Sequence, residues 1–151
     1  MATTTVKTEL DSRPSYLAAA IAAGLVFALY VLTLAPETAM WDTSEYIAAA
    51  YVLGIPHPPG NPFFVLLGRM FTLLPIGTPA LRLNLMSVFL AAGTLTLVGA
   101  AVRRMLDESK GAEWGGMAAV LALGTATTFW AQATIANIRM PTAFLTALCL
   151  Y

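Results

Sequence analysis

The stretch YLAAAIAAGLVFALYVLTLA at residues 16–35 carries no charge, and an α-helix needs about 20 such residues to cross the hydrocarbon core of a bilayer. A second apolar block fills residues 81–102, a third fills residues 114–131, and a fourth opens at Pro141. Short polar stretches separate them, which is the pattern of repeated membrane spans. Composition agrees: 58% of the 151 residues are hydrophobic and 11% are charged, against roughly 45–50% and about 25% in soluble domains. The sequence therefore predicts an all-α, polytopic helical membrane protein of about four transmembrane helices, with external juxtamembrane helices between the first two. The lipid bilayer is its first partner. A formal net charge of zero gives no reason to expect nucleic acid, and the single Cys149 excludes an intrachain disulfide.

Residues 1–15 are polar and read as a disordered cytoplasmic lead, and residues 16–151 as one transmembrane module. A cleaved signal peptide competes with a retained first helix, but its apolar core would be only about 7–15 residues, and Pro36 stands directly after Ala35. The retained helix is preferred. Residues 43–53 suit a short helix ended by Gly54 and Pro56. Its apolar positions Ile47, Ala50, Tyr51 and Gly54 recur at helical spacing, so it could lie along the membrane surface. Residues 62–74 are apolar but short and contain Arg69, which suits an interfacial helix better than a span. With that segment not crossing, Lys7, Arg13, Arg103, Arg104 and Lys110 share the cytoplasmic side. The N-terminus is then cytoplasmic and loop 36–80 faces outward.

That loop holds the residues most able to do chemistry. Asp42 and Glu45 stand three apart, on one face if both are helical. Asp42 could be the N-cap and Glu45 its reciprocal partner in a capping box. The same carboxylates could serve as a general base or as ligands for a divalent cation, with His57 completing a metal set. The run His57-Pro58-Pro59-Gly60-Asn61-Pro62 has no helix-compatible interior, because each proline holds the residue before it extended. It is a stiff corner, and it fixes where His57 and Asn61 point. Arg69, Arg82 and Arg139 fall on or near the outer face. They could anchor at lipid headgroups or bind the phosphate of a lipid-linked substrate.

The order of these features resembles a known family. An initial span is followed by Asp42-Thr43-Ser44-Glu45 at the start of a surface helix. Leu53-Gly54-Ile55-Pro56-His57-Pro58-Pro59-Gly60-Asn61-Pro62 comes next, then an apolar surface helix and Arg82-Leu83-Asn84 before the next span. This is similar to the N-terminal part of the bacterial membrane family related to protein O-mannosyltransferases, within the GT-C glycosyltransferase superfamily. The resemblance covers about residues 20–150. It implies transfer of a sugar from a polyprenyl-phosphate carrier to a protein or glycan hydroxyl on the non-cytoplasmic side of a cytoplasmic (inner) membrane. It further implies that Asp42 acts at the catalytic centre with Glu45 as its neighbour; His57, Asn61, Arg69, Arg82 and Arg139 are the candidates for substrate binding. Where many relatives follow a Trp-x-Gln-Ala stretch with Glu-Val-Tyr, this chain follows Trp130-Ala131-Gln132-Ala133 with Asn137-Ile138-Arg139. Relatives have many more spans, so the chain is expected to be an N-terminal fragment, inactive alone. The competing expectation is a non-catalytic transport or assembly protein in which Asp42 and Glu45 merely cap a helix. The apolar blocks carry no acidic residue, which counts against transport.

Overall fold

The computed structural model describes residues 16–39, 42–106 and 111–151, and the regular structure among them is entirely helical. In chain order the helices are α1 (Leu17–Leu32), α2 (Thr43–Val52), α3 (Pro62–Thr72), α4 (Pro79–Leu106), α5 (Ala112–Gly124), α6 (Thr127–Ala133) and α7 (Arg139–Leu150). The polar lead, with Lys7 and Arg13, lies outside the described residues, as do Asp107, Glu108 and Lys110.

Helix α4 organises the rest. It has 28 residues, about 42 Å at the usual rise per residue, and it contacts each of the other helices. Among the described residues it is the one helix long and apolar enough to cross a membrane, whereas α1, α3 and α7 are apolar but shorter. The block expected to form one helix over residues 114–131 is broken: α5 ends at Gly124 and Ala126 is extended (φ −62°, ψ 126°) before α6 begins. Local hydrogen bonds close α5 at the break. The amide and hydroxyl of Thr125 both donate to the Leu121 carbonyl, at 2.9 and 2.7 Å. The Gly124 carbonyl, released from the helix ladder, accepts the hydroxyl of fully buried Tyr30 at 2.6 Å.

Helix α1 has two faces. Ala19, Ala22, Ala23, Val26 and Tyr30 are buried against α4 and α5, while Leu17, Ile21, Leu25, Leu29 and Leu32 remain exposed at helical spacing. Such a leucine stripe is a large unpartnered patch in water. Up to Val26 the buried face is made of small residues, so backbones approach closely there. A Cβ added at Gly116 of α5 would stand 2.8 Å from the Gly99 carbonyl oxygen of α4. Gly93 also faces a neighbouring helix, against Phe144 of α7.

The bundle has two distinct ends. At one, Ala19, Gly99 and Gly116 meet, and the Arg104 guanidinium sits 5.1 Å over the Tyr151 ring. At the other, the end of α1 meets the end of α6 and the start of α4. Trp130 Nε1 donates to Thr33 Oγ1 at 3.0 Å, and the Ala35 amide donates to the Thr134 carbonyl at 3.3 Å.

Helices α2 and α3 pack on that second end. The expectation that α2 lays its apolar side on the membrane needs correction. Tyr46, Ile47 and Ala50 are buried with Phe64 of α3 and Leu83 and Met86 of α4, leaving Tyr51 exposed. A Cβ on Gly68 of α3 would lie 2.8 Å from Ala50 Cβ, which shows how tightly the pair is docked. Helix α3 matches its predicted position and shows its other face outward, with Phe63, Leu66 and Met70 exposed.

Candidate active site

The corner after α2 folds back on the start of that helix. Leu53 takes the left-handed conformation (φ 56°) and the Gly54 amide donates to the Ala49 carbonyl at 2.8 Å, ending the helix. The Pro58–Pro59 bond is cis and Gly60 has φ 87°. Asn61 is also left-handed, at φ 40°, a conformation asparagine tolerates better than most residues. Its Nδ2 donates to the Tyr46 hydroxyl at 2.9 Å, and the buried Tyr46 ring stands edge-on to His57, 5.5 Å between centroids.

These constraints deliver His57 to the two carboxylates. The His57 amide donates to Glu45 Oε1 at 2.6 Å, and its Nδ1 lies 2.8 Å from Glu45 Oε2. The imidazole's other nitrogen, Nε2, is 3.9 Å from Asp42 Oδ2. Hydrogen bonding to the His57 ring, then to its amide, holds the Glu45 carboxyl below the usual carboxylate range. The same ring bond to Glu45 raises His57 above the usual imidazole value. Asp42 does occupy the N-cap position of α2, yet its side chain makes no capping hydrogen bond. The capping box is therefore not formed, because Glu45 is engaged by His57 instead. Asp42 is left 65% exposed, facing the imidazole across a gap.

Asp42, Thr43, Tyr46 and His57 form one wall of a cleft of about 350 Å³. The opposite wall is the turn from α6 to α7, with Gln132, Asn137 and Arg139. Asn137 builds this turn. Its Nδ2 donates to the carbonyls of Gln132 (2.6 Å) and Ile135 (2.8 Å), and its Oδ1 accepts the amides of Arg139 (2.9 Å) and Met140 (3.2 Å). It thus caps α7, in the place where many relatives are expected to carry glutamate. The Arg139 guanidinium donates to Gln132 Oε1 at 2.9 Å.

The other two arginines lie elsewhere. Arg82 donates to the carbonyls of Thr72, Ile76 and Gly77 and so ties the turn between α3 and α4. Arg69 donates to the Tyr51 carbonyl and stacks near the Tyr51 ring. Of the residues picked out by sequence, Asp42, Glu45 and His57 are brought together, Arg139 faces them, Asn61 supports them through Tyr46, and Arg69 and Arg82 stand apart. Sequence reasoning passed over Tyr46, Gln132, Asn137 and Asn84 as site residues. Asn84 and Gln132 lay within stretches already noted for resemblance, Arg82-Leu83-Asn84 and Trp130-Ala131-Gln132-Ala133.

Fold and site together define an all-helical bundle module with an acidic, histidine- and arginine-bearing cleft at one end. The chain belongs to the family described as the protein O-mannosyl-transferase TMEM260 N-terminal domain, whose sequence model matches residues 42–151. It is also similar to the protein O-mannosyl-transferase TMEM260 of Mus musculus, at 38% identity over 87 residues. That match covers 57% of this chain and 12% of the mouse protein. No solved structure matches the chain.

Proposed function

We propose that this chain forms the cleft-bearing module of a membrane glycosyltransferase of the GT-C type. It moves a sugar, mannose by analogy with its relative's name, from a polyprenyl-phosphate carrier to a protein or glycan hydroxyl. The observation that carries this reading is the cleft itself: an exposed carboxylate that makes no capping bond to its own helix shares with an arginine a space large enough for a sugar. Asp42 accepts the acceptor's proton as the hydroxyl oxygen attacks the anomeric carbon. The bond from that carbon to the phosphate oxygen breaks with inversion, and the phosphate departs with the electron pair toward the Arg139 guanidinium, a donor fork suited to phosphate. Glu45 bonds Nδ1 of His57 and so holds the ring's other nitrogen beside Asp42.

In this reading α1, α4, the α5–α6 pair and α7 cross a cytoplasmic (inner) membrane, with α2 and α3 lying outside it. The leucine stripe of α1 supports contact with lipid. Arg103 and Arg104 lie toward the end of the bundle opposite the cleft, which supports a cytoplasmic N-terminus and an outward-facing site.

The test is Asp42→Asn in the complete gene product, supplied with polyprenyl-phosphate mannose and a serine- and threonine-containing peptide. Loss of a general base slows transfer by about 10²–10⁴-fold. Transfer at the wild-type rate removes Asp42 from the mechanism. Ligand atoms of Asp42, Glu45 and His57 all lie within 4.8 Å of one another, and this mixed nitrogen and oxygen donor set suits a divalent cation such as manganese or zinc. A cation there would offset the charge of the leaving phosphate. Treatment with a chelator should then abolish transfer, and undiminished activity would dispose of the cation.

A further inference from the structure

The two walls of the cleft come from segments far apart in the chain, and one buried side chain bonds the backbone of the turn that forms one wall and of the segment that precedes the other. Asn84, in the second turn of α4, is fully buried. Its Nδ2 donates to the carbonyls of Ala35 at 2.7 Å and Glu37 at 3.0 Å, on the segment that leads into Asp42. Its Oδ1 accepts the Ala136 amide at 2.8 Å, on the turn that carries Gln132, Asn137 and Arg139. The partners fix the orientation of the amide, since two carbonyls require the NH₂ end and a backbone N–H requires the oxygen. Every group in this junction is used, and no other residue type of that size offers two donors and an acceptor in one plane.

We infer that Asn84 is a positioning residue for the sugar-transfer cleft, setting the separation of the Asp42 wall from the Arg139 wall without touching substrate. The inference rests on the proposed transferase function for its consequence, but not for its geometry. Rates of group transfer are steep in geometry, and a displacement of about 1 Å can cost about 10²-fold. A link that holds both walls to the same helix is therefore worth more than its hydrogen bonds.

The two halves of the amide can be separated by substitution. Asn84→Asp keeps an acceptor for the Ala136 amide and replaces the NH₂ by an oxygen that repels the Ala35 and Glu37 carbonyls when ionised and donates to at most one of them when protonated, so it loosens the segment before Asp42 alone. Asn84→Ala frees both. With polyprenyl-phosphate mannose and the serine- and threonine-containing peptide, Asn84→Asp should lower kcat by about 10-fold or more and leave the KM for the donor within about 2-fold of wild type. Asn84→Ala should lower kcat and also raise that KM. Hydrogen exchange over residues 134–138 of the complete gene product should be fast in Asn84→Ala and near wild type in Asn84→Asp, while exchange over 34–39 quickens in both. Asp42→Asn should slow transfer by about 10²–10⁴-fold and leave exchange over both segments unchanged. Should the wild type transfer no sugar, the functional reading fails, and the exchange pattern alone decides the role of Asn84. The inference is overturned if the two variants behave alike in both kcat and KM, if exchange over both segments stays at wild-type rates, or if neither variant folds. In the last case Asn84 serves the fold as a whole rather than the cleft.

Discussion

Alanine substituted for glycine at two positions separates close packing from mere helix preference. At Gly24 of α1 an added Cβ meets nothing within 4 Å. Alanine there gains helix propensity, up to about 1 kcal/mol, and offends nothing. At Gly116 of α5 the same methyl would stand 2.8 Å from the Gly99 carbonyl oxygen and 3.3 Å from Arg103 Cβ. A backbone carbonyl in the middle of α4 cannot swing aside, so α5 must back away from α1 and α4 together. Overpacking of this kind costs about 1–3 kcal/mol. Because the propensity gain is common to both sites, the difference between them isolates the clash. Thermal unfolding in mild detergent, followed by tryptophan fluorescence, should place Gly24→Ala at or above wild type and Gly116→Ala below both. Equal midpoints for the two variants would mean that α1, α4 and α5 do not approach as closely as Ala19, Gly99 and Gly116 indicate.

Two further outcomes follow from the site. Arg139→Ala should raise the KM for a polyprenyl-phosphate donor by about 10–150-fold, the equivalent of about 1.5–3 kcal/mol for a hydrogen bond to a charged group. Arg82→Ala should instead lower the unfolding midpoint and leave that KM unchanged, since its donors are spent on the Thr72, Ile76 and Gly77 carbonyls. The Glu45–His57 contact should also carry a pH signature. Glu45 lies below its usual 4.5 when folded, so its contribution is present above pH 4.5 and fades as pH falls through the lowered value. His57 lies above its usual 6.5, so its contribution is full below pH 6.5 and fades as pH rises through the raised value. Protection of the 53–62 corner from proteolysis should therefore be greatest at about pH 4.5–6.5. Glu45→Gln should flatten that profile, and an unchanged profile in the variant would refute the assignment.

Helix ends marked by proline and glycine were legible for α2, which stops at the Gly54–Pro56 corner, and for α3, which begins at Pro62, whereas α4 begins at Pro79, two residues before the expected start at 81. The break after Gly124 was not legible. It lies in an uncharged run without proline, and its compensation comes from Tyr30, far away in sequence. Asp42, Glu45 and His57 could be named because few residue types do such chemistry and they stood near one another. Which carboxylate His57 would engage depended on the path of the corner, including left-handed Leu53 and Asn61, which no pattern announces. The three arginines looked alike, and backbone carbonyls, which leave no mark in sequence, set two of them apart. Tyr46 was overlooked because an aromatic residue at helical spacing reads as core, and it is core as well as cleft wall.

The length of α4 carries one more implication. From Asn84 to Arg103 the helix climbs about 29 Å, close to the thickness of a hydrocarbon core of about 30 Å. On the proposed transferase reading, with Arg103 at one boundary of the lipid, Asn84 would stand at the other, and the cleft would open near the depth where phospholipid phosphates lie. A prenyl chain could stay dissolved among its neighbours while its phosphate entered sideways, at the height of Arg139. The helix then works as a ruler. Adding or removing one turn between Asn84 and Arg103 would shift the doorway by about 5 Å, enough to strand the carrier's head group above or below it.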